Sequence, residues 1–305
     1  MTTLADLGGK TAYLARSTAA WALGRGKACP NCGGDAASIE ARKYVVTALR
    51  RCGRCDLLFR TPTDGEAFNR RFYDRFYRQG DVTALPDEAR LAEMMATGFA
   101  GSSRDQTRYV DLVRALGLAP GARLFELGCS WGYGTFQFRR AGFDAIGYDV
   151  ANRRRRFAAE RLGVPVIHEV ERIDADHPLA GRFDVFFSAH VLEHVPRPSS
   201  AIALAWTLLR DGGWFLSVTP NGSAPCRAAF PEWNMHWGAV HPNFIDDGFL
   251  RRAFARSPRL FASSASPADA IAGFVGAPEA EMRADALDGP ELTFLAQKRA
   301  AAGDW

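Results

Sequence analysis

The chain has 305 residues, 47% of them hydrophobic, with 38 basic against 34 acidic side chains and a net charge of +4. That is long enough for one large domain and a small one, with a sizeable core. The balanced charge gives no argument for a nucleic-acid partner, and no apolar run approaches the length of a membrane span.

Residues 1–27 read as an N-terminal helix, with Lys10, Arg16 and Arg25 scattered among alanines and no signal-peptide core. The six cysteines are unevenly used. Four fall in two Cys-x-x-Cys turns, Cys29 with Cys32 and Cys52 with Cys55, separated by 19 residues. Each turn can aim two thiolates at one tetrahedral ion, and this spacing is that of a four-cysteine zinc site. The stretch Tyr44–Leu49 between them is β-prone and suits a hairpin arm. Residues 28–62 are therefore expected to form a zinc ribbon, closed by four protein ligands and so structural. A redox dithiol would need a thioredoxin-like βαβ unit, which is absent. Clustered cysteines of this kind fit a reducing cytoplasm better than a disulfide framework.

Residues 63–118 read as a helical connector. Phe68, Phe72, Tyr73, Phe76 and Tyr77 recur on one helix face, for packing between domains. A second helix, Ser103–Leu116, stops at Gly117 and Pro120. From 119 to 300 strands and helices alternate, as in an α/β sheet. The first strand, Leu124–Leu127, breaks into Gly128, Gly132 and Gly134, and a helix follows from Thr135. This is neither a phosphate loop nor a dinucleotide fingerprint. Glu126 is a carboxylate at the strand's end, suited to an ammonium group. A second strand, Asp144–Asp149, ends in an acid that suits ribose hydroxyls. Asn152 is expected to cap the next helix, with Arg153–Arg156 as its solvated face. Val164–His168 should be a third strand, followed by Asp174 and Asp176. A fourth strand from Arg182 leads into His190-Val-Leu-Glu193-His194. The last segment also spells an inverted zinc-protease signature, but that needs a helix, and Pro196 and Pro198 argue against one. A turn at Asp211–Gly213 precedes a fifth strand, and Leu260-Phe261 onward and Glu291–Gln297 fit the last two. His236 and His241 lie in the loop Trp233–Phe244, over the carboxyl ends of the strands, with Trp233 and Trp237 either walling a pocket or packing.

The pattern Glu126-x-Gly128-x-x-x-Gly132 after an apolar strand resembles the first motif of class I S-adenosylmethionine (SAM)-dependent methyltransferases, with Ser130 where a third glycine is usual. The segment Arg182–His194 resembles their fourth-strand motif. The resemblance implies a doubly wound Rossmann-like α/β sheet with its last strand antiparallel, here behind a small N-terminal zinc ribbon. It implies SAM as cofactor, held by Glu126, Gly128, Gly132, Asp149, Val150, Ser188 and His190. Asp174 or Asp176 would meet the adenine, and Tyr73 or Tyr77 would lie over the cofactor as a lid. The ribbon makes the chain similar to the nucleotide-sugar C-methyltransferases, whose paired histidines match His194 and His241. Val240 stands where that family has a glutamate, and its extra C-terminal domain is not seen before residue 305. The expected activity is methyl transfer to a small-molecule or sugar or glycan acceptor, at oxygen or carbon, with His194 or His241 as base. Two other readings stand beside it: an rRNA or tRNA methyltransferase with a zinc module, and a SAM-fold binding protein without turnover. The absence of a basic, aromatic-interleaved face counts against the first.

Overall fold

The computed structural model describes residues 4–65 and 84–299, so the aromatic segment with Tyr73 and Tyr77 lies outside the described residues. Helix α1 (Leu4–Ala22) leads into three strands, β1 (Ala37–Lys43), β2 (Thr47–Cys52) and β3 (Leu58–Thr61). The β1–β2 turn places Tyr44 and Val45 at φ 52° and 62°. These strands form a separate antiparallel sheet in the order β1-β2-β3-β8, where β8 (Asn243–Phe244) comes from far along the chain. Tyr13 of α1 is buried under the Arg60 guanidinium, 5.1 Å from its ring, and Arg16 pairs with Asp64 at 2.6 Å.

Two helices precede the main sheet: α2 (Glu88–Ala96) and α3 (Thr107–Arg114). The sequence predicts a longer second helix, from Ser103. Its first turn is replaced by a loop because the Asp105 carboxylate accepts from Gly101 N at 2.7 Å and Thr107 N at 2.9 Å. Such a side chain competes with helical hydrogen bonds.

The main sheet then winds through β4 (Arg123–Leu127), α4 (Tyr133–Arg140), β5 (Asp144–Tyr148), α5 (Asn152–Leu162), β6 (Phe183–Ala189), α6 (Pro198–Leu208) and β7 (Leu209–Pro220). It continues through α7 (Ala224–Ala229), α8 (Asp247–Ala253), β9 (Arg259–Ala262), α9 (Ala268–Gly276), β10 (Met282–Arg283) and β11 (Glu291–Gln297). The spatial order is β10-β9-β11-β7-β6-β4-β5, with β4 to β7 parallel and β11 antiparallel to both neighbours. This is the expected doubly wound sheet with an antiparallel last strand. Side chains alternate across it. Phe186 joins Phe125 and Phe215 on one face, while its neighbour Phe187 packs on Phe138 across the other. Each such buried ring contributes roughly 1.5–3 kcal/mol.

Three expectations are corrected. Val164–His168 is not a strand: only a bridge forms, Gly147 to Val166, because Pro165 has no N–H to extend a ladder. Asn152 is already the first residue of α5; Ala151 is the cap, and no side chain caps it. The turn at Asp211–Gly213 is a bulge within β7, where Leu209 opposes Phe183 and Trp214 opposes Val185.

Candidate active site

The carboxyl ends of β4, β5 and β6 meet at the glycine turn. Gly128 has φ 79°, and a Cβ there would stand 2.2 Å from Val191 Cγ2. Gly132 caps α4 at φ 88°. A Cβ on Gly134 would fall 2.2 Å from Glu126 Oε1. The glycines thus let the turn close on its own neighbours, the β6 exit and the Glu126 carboxylate. Glu126 is buried, accepts from Thr135 Oγ1 and from the Thr135 backbone, and is pushed up to about 7 by burial despite those hydrogen bonds. Among the described residues no basic group pairs with it, so a ligand ammonium would meet an unneutralised carboxylate.

Asp149 is also buried. Its Oδ2 accepts from Ser130 N at 3.1 Å and its Oδ1 from Ala151 N at 2.8 Å. Burial raises its pKa, against the pull of Arg154 and those N–H groups. Each oxygen keeps a further lone pair for a hydroxyl. Val150 beside it is 50% exposed, an apolar side chain open to a flat partner. Ser130 Oγ, Trp131 Nε1 and Ser188 Oγ are buried around the turn and strand end without hydrogen-bond partners. Buried polar atoms of this kind are costly unless something satisfies them. A carboxylate for an ammonium, a second for a ribose and spare polar atoms between them fit SAM. The four arginines after Asp149 are not one solvated face: Arg155 is buried, bonds to Asp149 O and lies 5.2 Å over the Tyr148 ring. Asp174 and Asp176 are exposed, and Asp174 accepts from the Asp176 backbone.

The second cluster lies where β6 ends. His190 leaves the strand at φ 54°, which rules out the helix of an inverted zinc protease. Its Nε2 lies 2.7 Å from Glu291 Oε1 and its Nδ1 3.6 Å from Glu193 Oε1. Burial opposes its charge, but the nearby carboxylates of Glu193 and Glu291 carry it up to about 9. Glu193 is 1% exposed. Burial disfavours its ionisation, yet His190 and the neighbouring histidines hold it down at about 2. Its Oε2 accepts from Thr219 Oγ1 at 3.1 Å, while Oε1 has no hydrogen-bond partner.

His194 and His241 come together, ring centroids 4.5 Å apart and inclined at 71°. His194 Nδ1 meets Val240 O at 2.8 Å, and His241 Nδ1 meets His236 O at 2.9 Å. A carbonyl only accepts, so both Nδ1 atoms carry the proton and both Nε2 atoms keep a lone pair. Burial pushes His194 down to about 4 despite Glu193, and lowers His241 as well. Glu193, His194 and His241 bring one ligand atom each within 4.8 Å of one another. The trio can take up a proton, and its donor set would also suit a divalent cation. Trp233 and Trp237 pack: Trp237 is buried with Leu49, Leu58 and Phe244, and Trp233 stacks on Phe244.

Cys29, Cys32, Cys52 and Cys55 also converge within 4.8 Å. The pairs Cys29–Cys55 and Cys32–Cys52 lie 3.7 and 3.5 Å apart, too far for disulfides. Tetrahedral sulfurs about 2.3 Å from zinc stand about 3.8 Å from each other, so the four thiols fit that ion.

A family profile for methyltransferase domains matches residues 102–257. The chain belongs to the methyltransferase-domain family. Its relatives include the ubiquinone biosynthesis O-methyltransferase of Cereibacter sphaeroides, 30% identical over 123 residues, which are 38% of this chain and 50% of that one. The corresponding Bordetella avium protein is 31% identical over 111 residues, 34% of this chain and 45% of that one. The chain thus spans about half the length of the curated relatives it matches. A solved SAM-dependent methyltransferase from Archaeoglobus fulgidus aligns with 70% of this chain and 100% of its own, at 15% identity and a TM-score of 0.45. The matched methyltransferase domain contains the glycine turn, Asp149 and both histidines; the cysteine ribbon lies outside it.

Sequence reasoning brought together the turn, Asp149 and the histidine pair. It passed over Glu193 and Glu291. Glu193 was detectable as a carboxylate next to His194; Glu291 carries no local signal, since only the tertiary fold brings it to His190.

Proposed function

We propose that this protein transfers a methyl group from SAM to the oxygen of a small-molecule acceptor. The observation that carries the reading is the paired arrangement at the strand ends. A buried carboxylate pair flanks the glycine turn, and past the β6 exit, whose Val191 abuts Gly128, two neutral histidines face a buried anion. When bound, SAM supplies a methyl group on a sulfonium already carrying positive charge. Glu126 would hold the ammonium of its amino-acid end and Asp149 its ribose. His194 Nε2 would take the acceptor's proton; Glu193 Oε1, 3.9 Å away, would stabilise the imidazolium formed. The Nδ1–H bond to Val240 O holds the ring in the tautomer this requires. Positioning of this kind contributes on the order of 7–11 kcal/mol to such a transfer. The small-molecule O-methylation named for the curated relatives supports an oxygen acceptor, and a sugar or glycan hydroxyl falls in the same class. The four cysteines would hold structural zinc. Reduced thiols suit a cytoplasmic setting, and among the described residues no helix is long and apolar enough to cross a membrane.

The reading is tested by calorimetry with SAM and by methyl-labelled SAM incubated with small-molecule extracts. Binding with labelled product supports it. Binding without turnover on any extract favours the non-catalytic reading, and no binding refutes the site. His194→Ala should bind SAM normally and lose on the order of 10²–10⁴ in turnover. Full turnover in that variant would remove His194 as base.

A further inference from the structure

We propose that the cysteine ribbon is a wall of the acceptor site, and that Asn243 is the positioning residue through which it sets the separation of His194 and His241. The inference rests on the methyl-transfer reading only in calling these two the acceptor histidines.

The loop carrying His241 is tied to the ribbon on both sides of it. On one side, Lys43 at the end of β1 donates from Nζ to Trp237 O at 2.5 Å and lies 4.3 Å over the Trp237 ring. On the other, Arg60 N donates to Pro242 O at 2.8 Å, and β8 pairs with β3, Phe59 opposite Asn243. Between these anchors, Gly238 N donates to His241 O at 3.0 Å, closing the loop on itself. His241 therefore hangs from a span whose ends are both fixed by ribbon strands.

Asn243 carries the same constraint across to His194. Its backbone N–H donates to Glu193 O at 3.3 Å and its Nδ2 to Val195 O at 2.6 Å. It thus grips the peptide on each side of His194 while sitting in the ribbon sheet. The cysteine knuckle adds a further tie. Asn31, between Cys29 and Cys32, accepts from Ser199 N at 2.8 Å in the first turn of α6, soon after His194. Packing alone does not account for Asn243. It is fully buried, and its Oδ1 has no hydrogen-bond partner. Burying a carboxamide with its oxygen unpaired is unfavourable, so an apolar side chain would serve a purely packed position better. What the asparagine adds is the Nδ2 donor on Val195.

The test reads the geometry directly, apart from turnover. In the metal-replete full-length protein, imidazole nitrogen NMR should show Nδ1–H for both histidines, and a ring-to-ring nuclear Overhauser cross-peak between them. Asn243→Ala should abolish that cross-peak and average the His194 tautomers, with SAM affinity within about twofold. Lys43→Met keeps the stem over Trp237 but loses the donor and should weaken the cross-peak; Lys43→Arg should restore it. A shift of about 1 Å at a reacting group can cost on the order of a hundredfold, so turnover should fall by that order in Asn243→Ala while acceptor KM changes little. If Asn243→Ala does not fold, Lys43→Met decides. Persistence of cross-peak and tautomers in every folded variant overturns the proposal. Wild-type protein that fails to bind SAM would instead overturn the methyl-transfer reading and leave this geometry standing.

Discussion

Gly128→Ala is the sharpest probe of how the glycine turn meets the fourth strand's exit. Two separate costs add. The residue sits at φ 79°, where an L side chain costs about 1–2 kcal/mol. The new Cβ would also stand 2.2 Å from Val191 Cγ2, an overlap that must be relieved by moving Val191 or the turn. Overpacking of this kind costs about 1–3 kcal/mol, so the variant should lose roughly 2–5 kcal/mol in all. Val191 lies between His190 and Leu192, so relief should also disturb the segment carrying Glu193 and His194. Urea unfolding followed by fluorescence measures the loss, and a double-mutant cycle with Val191→Ala separates the terms. Removing the Val191 methyls leaves the φ cost and abolishes the overlap. The double variant should therefore be more stable than additivity allows, by about 1–3 kcal/mol. Strict additivity would show that the turn and the β6 exit are not in contact as described.

Four thiols in tetrahedral reach predict about one zinc per chain on metal analysis, lost along with ribbon stability in Cys52→Ser; native reduced protein without metal would refute this. A second divalent equivalent that disappears in His241→Ala would assign the Glu193, His194 and His241 trio to a cation instead of a proton. Asp149→Ala should weaken SAM binding tenfold or more, from the roughly 1–3 kcal/mol lost when ribose hydroxyls go unmatched; calorimetry giving an unchanged Kd in the folded variant would take Asp149 out of the site. Burial lifts Glu126 to about 7, so its anion becomes available only as pH rises through that value. SAM affinity should therefore increase from pH 6 to 8 with net proton release, a trend absent in Glu126→Gln. The same raised pKa means that folding favours the protonated form: the stability it brings is full below the unfolded value of about 4.5 and fades as pH climbs through about 7.

The main sheet was legible because its strands are short apolar runs between turn signals, and the glycines marked the one turn that matters. Val164–His168 misled because its composition is β-prone while Pro165 removes the donor a ladder needs. Arg155 misled because a run of arginines reads as solvated, whereas one guanidinium turns inward to the Asp149 carbonyl and the Tyr148 ring. The histidine pair was legible through the family resemblance, not as two rings in contact. Their contact depends on backbone carbonyls at Val240 and His236, which no side-chain pattern announces. The pKa consequence was equally hidden. A base titrating near neutrality is the natural expectation for histidine, but burial drives His194 to about 4. The acid limb of the rate profile should then fall far below neutral pH, and the enzyme should keep its base unprotonated throughout the physiological range.

The role of the ribbon was the least legible part, for a topological reason. Spacing alone identifies four candidate ligands, and a closed four-cysteine site reads as a detached stability element. What spacing cannot convey is that the ribbon's edge strand β3 is completed by β8, a two-residue strand that begins two positions after His241. An unpaired edge invites a partner strand. Here the partner is the outgoing limb of the His241 loop, so the ribbon's free edge and the loop's need for a fixed end are met by one pairing. Apolar burial follows the same line: Leu49 and Leu58 from the ribbon close over Trp237 and Phe244 on either side of His241. On the proposed reading, zinc binding and acceptor geometry would be coupled through the β3–β8 pairing and the hydrogen bonds of Lys43, Asn243 and Asn31, not through any group that touches both. Chelation should loosen the His241 loop before it affects the glycine turn, because the turn is tied to the end of β5, through Tyr148 O and the Asp149 carboxylate, and shares no strand with the ribbon.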